Sequence, residues 1–104
     1  MTKDRQQMDR KPRLPQGEIR DFLAASPDWS YKGEALHRLF EFDAYLDGLA
    51  FVQQVGTMAE EADHHPDLVL RWRKVEVVLT SHDVGGVSAR DLALARKIDL
   101  IPRP

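Results

Sequence analysis

Residues 60–91 read EEADHHPDLVLRWRKVEVVLTSHDVGGVSARD, and this stretch decides the fold. Pro66 ends the helix that precedes it, because the residue before a proline avoids the α region. Beyond it, Leu68–Trp72 and Val75–Thr80 read as two strands, with Arg73-Lys74 at the bend. Leu68, Leu70 and Trp72 share one face of the first strand; Val75, Val77 and Leu79 share one face of the second. So short a connection makes the pair an antiparallel hairpin. Gly85-Gly86 is a turn, and Ser88-Ala-Arg-Asp91 is a capping box with Asp91 in the usual Glu or Gln place. It opens a last helix to about Asp99, with Leu94, Ile98 and Ile101 on one side and Pro102 as the stop.

Upstream, Asp43 reads as the N-cap of a long helix running to about Asp63. Tyr45, Leu49, Val52, Val55, Ala59 and Ala62 recur on it at spacings of three and four. Gly48 and Gly56 lower its propensity, by roughly 1 kcal/mol each relative to Ala, unless a neighbour packs closely there. Trp29–Lys32 and Ala35–Phe42 read as a second hairpin around Gly33-Glu34. Gln16–Ala25 reads as a first helix, with Ile19, Phe22 and Leu23 on one face and Ser26-Pro27 as its end. The order is α-β-β-α-β-β-α. Four strands with one apolar face need covering, so the expected fold class is α+β: a four-stranded antiparallel sheet with three helices packed on one face. Residues 14–104 form one domain. Residues 1–13, with five basic and two acidic side chains and no anchor for a core, read as a disordered basic tail.

The composition narrows the function classes. The chain has 104 residues, 42% hydrophobic and 31% charged, with a net charge of −2. A dedicated nucleic-acid binder carries a basic excess, which is absent overall, so no nucleic-acid partner is expected. With no Cys, thiol nucleophiles, disulfides and Cys-ligated metal are excluded. The N-terminal residues lack the apolar core of a secretory signal. No stretch approaches the ~18 apolar residues of a membrane span. A cytoplasmic protein without a membrane partner is expected.

Three of the four histidines gather in one region: His64, His65 and His82. The first two stand where the long helix ends. His82 follows the last strand, and hairpin geometry sets that strand's end beside the start of its partner after Pro66. Glu60, Glu61, Asp63, Asp67 and Asp83 surround them, with Glu60 one helical turn before His64. Imidazoles oriented by carboxylates suit general acid–base chemistry. Imidazole also binds zinc, but adjacent histidines do not make an HExxH-type spacing, which argues against a metal. One surface histidine would be unremarkable in a loop; three at one end of a hairpin are harder to dismiss. His37, on a strand with no partner in the pattern, reads as structural. Ser81, next to His82 in an extended segment, points to the opposite face and belongs to no nucleophile motif.

Glu60-x-x-x-His64-His65-Pro66, followed by Trp72, His82 and Asp91 at their spacings, resembles the signature of the pterin-4a-carbinolamine dehydratases. That family is also known as the dimerization cofactor of a homeodomain transcription factor. The resemblance runs from about Leu14 to Ile101. It implies a hydro-lyase that converts 4a-hydroxytetrahydropterin to quinonoid dihydropterin. The substrate is what an aromatic amino-acid hydroxylase leaves of its tetrahydropterin, so the place implied is tetrahydrobiopterin recycling. No metal or redox cofactor is implied. By similarity, His64, His65 and His82 are the catalytic histidines. Asp63, Thr80, Ser81 and Asp83 match positions near the bound pterin, and Glu60, Trp72 and Asp91 match supports. Which ring is acid and which is base stays open. The resemblance also implies a homo-oligomer, dimer or tetramer. The competing class is a non-catalytic dimerisation or coactivator-binding module of the same fold, which would not need all three histidines.

Overall fold

The computed structural model describes residues 12–103. Its elements are α1 (Gln16–Ala25), β1 (Ser30–Lys32), β2 (Ala35–Glu41), α2 (Tyr45–Ala62), β3 (Asp67–Leu70), β4 (Lys74–Leu79) and α3 (Ala89–Asp99). A single turn of 3₁₀ helix, His82–Val84, lies between β4 and α3. The α+β class and the order α-β-β-α-β-β-α are as the sequence predicts. All strand pairings are antiparallel, and the sheet order is β1-β2-β4-β3.

The sheet's inner face is apolar because alternate residues are. Leu36, Phe40, Val75, Val77 and Leu79 are buried there against Ile19 and Phe22 of α1, Phe51 and Val55 of α2, and Leu94 and Ile98 of α3. Phe22, Trp29, Phe40, Phe51 and Phe42 form a run of tilted and edge-on rings, with successive centroids 6.5, 6.4, 4.6 and 5.3 Å apart. The Trp29 indole N–H donates to both carboxylate oxygens of Asp99, at 2.9 and 3.0 Å. Arg38 Nη1 reaches the same carboxylate at 2.6 Å, so β2 and the end of α3 are joined through one anion.

Several local readings change. Gly33 and Glu34 have φ of 61° and 60°. Two left-handed central residues make a type I′ hairpin turn, whose signature is weak here because Glu occupies its second position. Ala44, not Asp43, is the N-cap of α2, and it has no side-chain cap bond. The hairpin tip determines this. Phe42 N–H donates to the Arg73 carbonyl at 2.9 Å, and Arg73 Nη1 to the Asp43 carbonyl at 3.4 Å, which keeps Asp43 outside the helix. The buried stripe of α2 is Gly48, Phe51, Val55 and Ala59, while Tyr45 and Leu49 are exposed. The stripe turns toward Phe51 because that ring has most apolar area to bury. A Cβ on Gly48 would sit 3.3 Å from Leu70 and 3.5 Å from Phe42 and Val75, whereas one on Gly56 would meet nothing within 4 Å. Close packing therefore accounts for Gly48 alone.

Trp72 is not on a strand. β3 ends at Leu70, Arg71 N–H donates to the Lys74 carbonyl at 2.8 Å, and Trp72 stands at the tip of the β3–β4 turn with 71% of its surface exposed. His37 has partners after all: Nε2 lies 3.0 Å from the Lys32 carbonyl, and Nδ1 3.6 Å from Glu76. Arg13, read as tail, belongs to the fold through a β-bridge to Ser88 and an ion pair with Glu34. The remainder of the tail reading falls on residues 1–11, outside the described part.

Candidate active site

The two adjacent histidines owe their separation to the way α2 ends. Asp63 is left-handed, with φ 51° and ψ 40°. Its N–H donates to Glu60 O at 3.1 Å, while His64 N–H donates to Ala59 O at 3.1 Å. This is a Schellman closure, with Asp where glycine is usual. It turns the chain out of the helix so that His64 and His65 diverge. Pro66 then starts the extended run into β3.

His64 turns inward. Its Nε2 is 2.5 Å from Asp91 Oδ1, and Asp91 is fully buried. A carboxylate can only accept, so Nε2 carries the proton and donates it. The other oxygen, Oδ2, accepts from Ser88 N–H at 2.8 Å and from the Ser81 hydroxyl at 2.7 Å. The capping box at the start of α3 is therefore present, and its acid also faces a histidine. His65 turns outward, and its Nε2 is 2.7 Å from Glu60 Oε1. Glu60 thus serves His65 and not His64, the residue one helical turn away. Each histidine has Nε2 committed to its own carboxylate, leaving Nδ1 as the ring nitrogen able to exchange a proton with a ligand.

The β3–β4 register sets Asp67 opposite Val78. The segment before β3, with His64 and His65, and the segment after β4, with Thr80 and His82, therefore leave the hairpin at the same end. His82 is exposed, on the 3₁₀ turn that follows β4. Asp83, on the same turn, is held by Arg90 Nη2 at 2.6 Å. The Thr80 hydroxyl donates to the Glu34 carbonyl at 2.9 Å. Asp63 is exposed at the helix end. Ser81 is buried, its hydroxyl on Asp91 and its N–H on Gly86 O at 2.9 Å, so its side chain faces the interior. Trp72 lies at the opposite end of the hairpin from the histidines and lines a separate concavity of about 560 Å³ with Phe42 and Arg71. Another, of about 620 Å³, lies over the outer sheet face beside His37 and Glu76. Among the described residues, no group of three or more His, Asp or Glu side chains is arranged to hold a metal ion.

Sequence reasoning missed two members of this cluster. Ser88 reads only as a cap and Arg90 is not singled out, yet Ser88 Oγ is 2.7 Å from Ser81 Oγ, and Arg90 Nε donates to Ser88 Oγ at 3.3 Å. The capping box pairs Ser88 with Asp91 in the sequence; only the folded hairpin brings Ser81 and His64 to the same carboxylate.

A sequence model of the family described as pterin 4 alpha carbinolamine dehydratase matches residues 12–101. The chain belongs to that family. A relative from Mycobacteroides abscessus, named provisionally as a pterin-4-alpha-carbinolamine dehydratase, is 45% identical over 86 residues, covering 83% of this chain and 92% of the relative. One from Natronomonas pharaonis, with the same provisional name, is 45% identical over 87 residues, 84% of this chain and 92% of its own. A crystal structure from Brucella melitensis, described as a transcriptional coactivator/pterin dehydratase, superposes with a TM-score of 0.80 at 32% identity and covers 84% of this chain and 95% of that one. A pterin dehydratase-like protein described as a RuBisCO assembly factor of the alpha-carboxysome shares the fold, with a TM-score of 0.56 at 24% identity over 68% of this chain and 82% of its own. Membership of the carbinolamine dehydratase family supports dehydratase chemistry on a pterin in general terms. The likeness to the protein described as an assembly factor shows a shared fold alone.

Proposed function

We propose that this chain dehydrates a 4a-hydroxytetrahydropterin to the quinonoid dihydropterin by histidine acid–base catalysis, in the recycling of a tetrahydropterin spent by an aromatic amino-acid hydroxylase. The C4a–O bond breaks as the oxygen gains a proton and leaves as water. The N5 lone pair forms the new C4a=N5 bond, and the N5 proton departs to a base. No electrons are exchanged with an outside acceptor. One imidazolium and one neutral imidazole meet the whole need. The observation that carries the reading is the pair of adjacent histidines, each with Nε2 on its own carboxylate, at 2.5 and 2.7 Å. His82 assists from the neighbouring turn. Asp63, Thr80 and Asp83 border the pterin; Asp91 and Glu60 support the rings, and Ser81, matched by similarity to a pterin-side position, bonds Asp91.

The test is direct. Purified protein added to freshly generated 4a-hydroxytetrahydropterin should speed the loss of the carbinolamine absorbance well beyond its spontaneous rate. Dialysis against a strong chelator should leave that acceleration unchanged. A chain that folds but adds nothing to the spontaneous rate would instead be a non-catalytic binding module of the same fold. Activity lost on chelation and restored by zinc would replace acid–base catalysis by metal catalysis.

We further propose a closed symmetric homo-oligomer, a dimer or a dimer of dimers. Among the described residues, β1 and β3 are sheet edges with no further strand beside them, and α2 exposes Tyr45, Leu46 and Leu49 along one flank. Sedimentation equilibrium at micromolar concentration should give two or four times the 11.9 kDa of one chain. A single-chain mass that persists on concentration would remove the oligomer and leave the catalytic proposal standing.

A further inference from the structure

We propose that Ser81 and Ser88 are positioning residues, two hydroxyls in series that fix which nitrogen of His64 carries its proton. This rests on the dehydratase reading for its catalytic consequence, though not for its structural one. The protons along the chain of bonds run in one direction. Ser88 Oγ accepts from Arg90 N–H and from Arg90 Nε–H, both at 3.3 Å. Ser81 Oγ gives its only proton to Asp91 Oδ2, at 2.7 Å. The 2.7 Å contact between the two hydroxyls must then run from Ser88 to Ser81. Among the described residues, every group bonded to Asp91 through its side chain is therefore a donor: the Ser81 hydroxyl, Ser88 N–H and His64 Nε2. A carboxylate facing three donors is a fixed acceptor. His64 is held with its proton on Nε2, and Nδ1 is left to trade a proton with the substrate.

The cap of α3 thus does two things. Ser88 starts the helix, and its hydroxyl also orients the one that orients Asp91. Arg90 extends the chain to the surface, because its Nη2 holds Asp83 at 2.6 Å beside His82. The buried and exposed sides of the candidate site are joined through one arginine.

The test uses the full chain with ¹⁵N-labelled histidine. Two-bond ¹H–¹⁵N spectra of the wild type should show His64 protonated at Nε2, with that proton hydrogen-bonded and slow to exchange. Ser81→Ala and Ser88→Ala should each speed the exchange of that proton and mix the tautomers. Each should lower kcat by about 10-fold with KM unchanged, the scale of lost ligand orientation. Ser81→Thr and Ser88→Thr, which keep the hydroxyl, should restore both readouts. If loss of the cap unfolds Ser88→Ala, Ser81→Ala carries the test alone. A wild-type His64 protonated on Nδ1 with a bare Nε2 would overturn the proposal. So would Ala variants that keep both the wild-type spectrum and the wild-type rate. A protein with these spectra and no dehydratase activity would keep the proton network and retire the proposed function.

Discussion

Replacing His65 by Ala is expected to lower carbinolamine dehydration by about 10²-fold or more, the usual scale for a positioned acid or base, with the melting temperature unchanged. The ring's side chain is 57% exposed, and its partner Glu60 is 80% exposed, so nothing in the core depends on it. His64→Ala should lose activity on the same scale, and stability as well. That ring is buried and is, among the described residues, the sole donor to Asp91 Oδ1, so its removal leaves a buried carboxylate oxygen without that partner. An unsatisfied buried polar group costs about 1–3 kcal/mol. His37→Ala, on the outer sheet face, should turn over substrate as the wild type does. Rates measured beside thermal melts of the three variants check all of this. A folded His37→Ala as damaged as His65→Ala would move the active site to the other side of the sheet.

Asp91→Ala should be the most destabilising single change near the site. It strands three buried donors at once: the His64 ring N–H, the Ser81 hydroxyl and the Ser88 backbone N–H. It also removes the acid of the capping box. Each unsatisfied buried polar group costs about 1–3 kcal/mol, so three together lower the melting temperature of a domain of this size by more than about 10 °C. Asp91→Asn keeps the shape but offers an N–H₂ where one of the donors points, so it should fold and lose most of its activity. Thermal melts and dehydration rates on the two variants separate the structural from the catalytic role. If Asp91→Ala melted with the wild type, the buried network would not be holding α3 to the end of α2.

Most of the fold is legible in the sequence because its signals are local. Alternation in Val75–Leu79, the Pro66 stop and the Ser88–Asp91 box each specify an element without reference to distant residues. The failures occur where tertiary contact overrides the local signal. Asp43 is a sound cap by type, but the hairpin tip grips the residues beside it and Ala44 takes the position. Trp72 looks like the last inward residue of a strand until the chain turns one step earlier, at Arg71. The stripe on α2 follows Phe51, which spacing alone does not rank above Leu49.

The candidate site divides in the same way. Gathering the histidines needs only the hairpin. Assigning each histidine to its carboxylate needs the left-handed Asp63, which the apolar spacing of the helix does not announce, since it sends His64 inward and His65 back to Glu60. The bond between the two buried serines needs the folded structure for a further reason. Whether a hydroxyl faces a ligand or a carboxylate depends on which way a single residue points after the strand has ended.

The chain's four histidines make the central claim measurable without a turnover assay. Ring signals of the ¹⁵N-histidine-labelled protein, titrated with a 7,8-dihydropterin as product analogue, report where a pterin sits. The account predicts saturable shifts in His64, His65 and His82, with His37 unmoved. Shifts confined to His37, or none in any ring up to millimolar pterin, would contradict it.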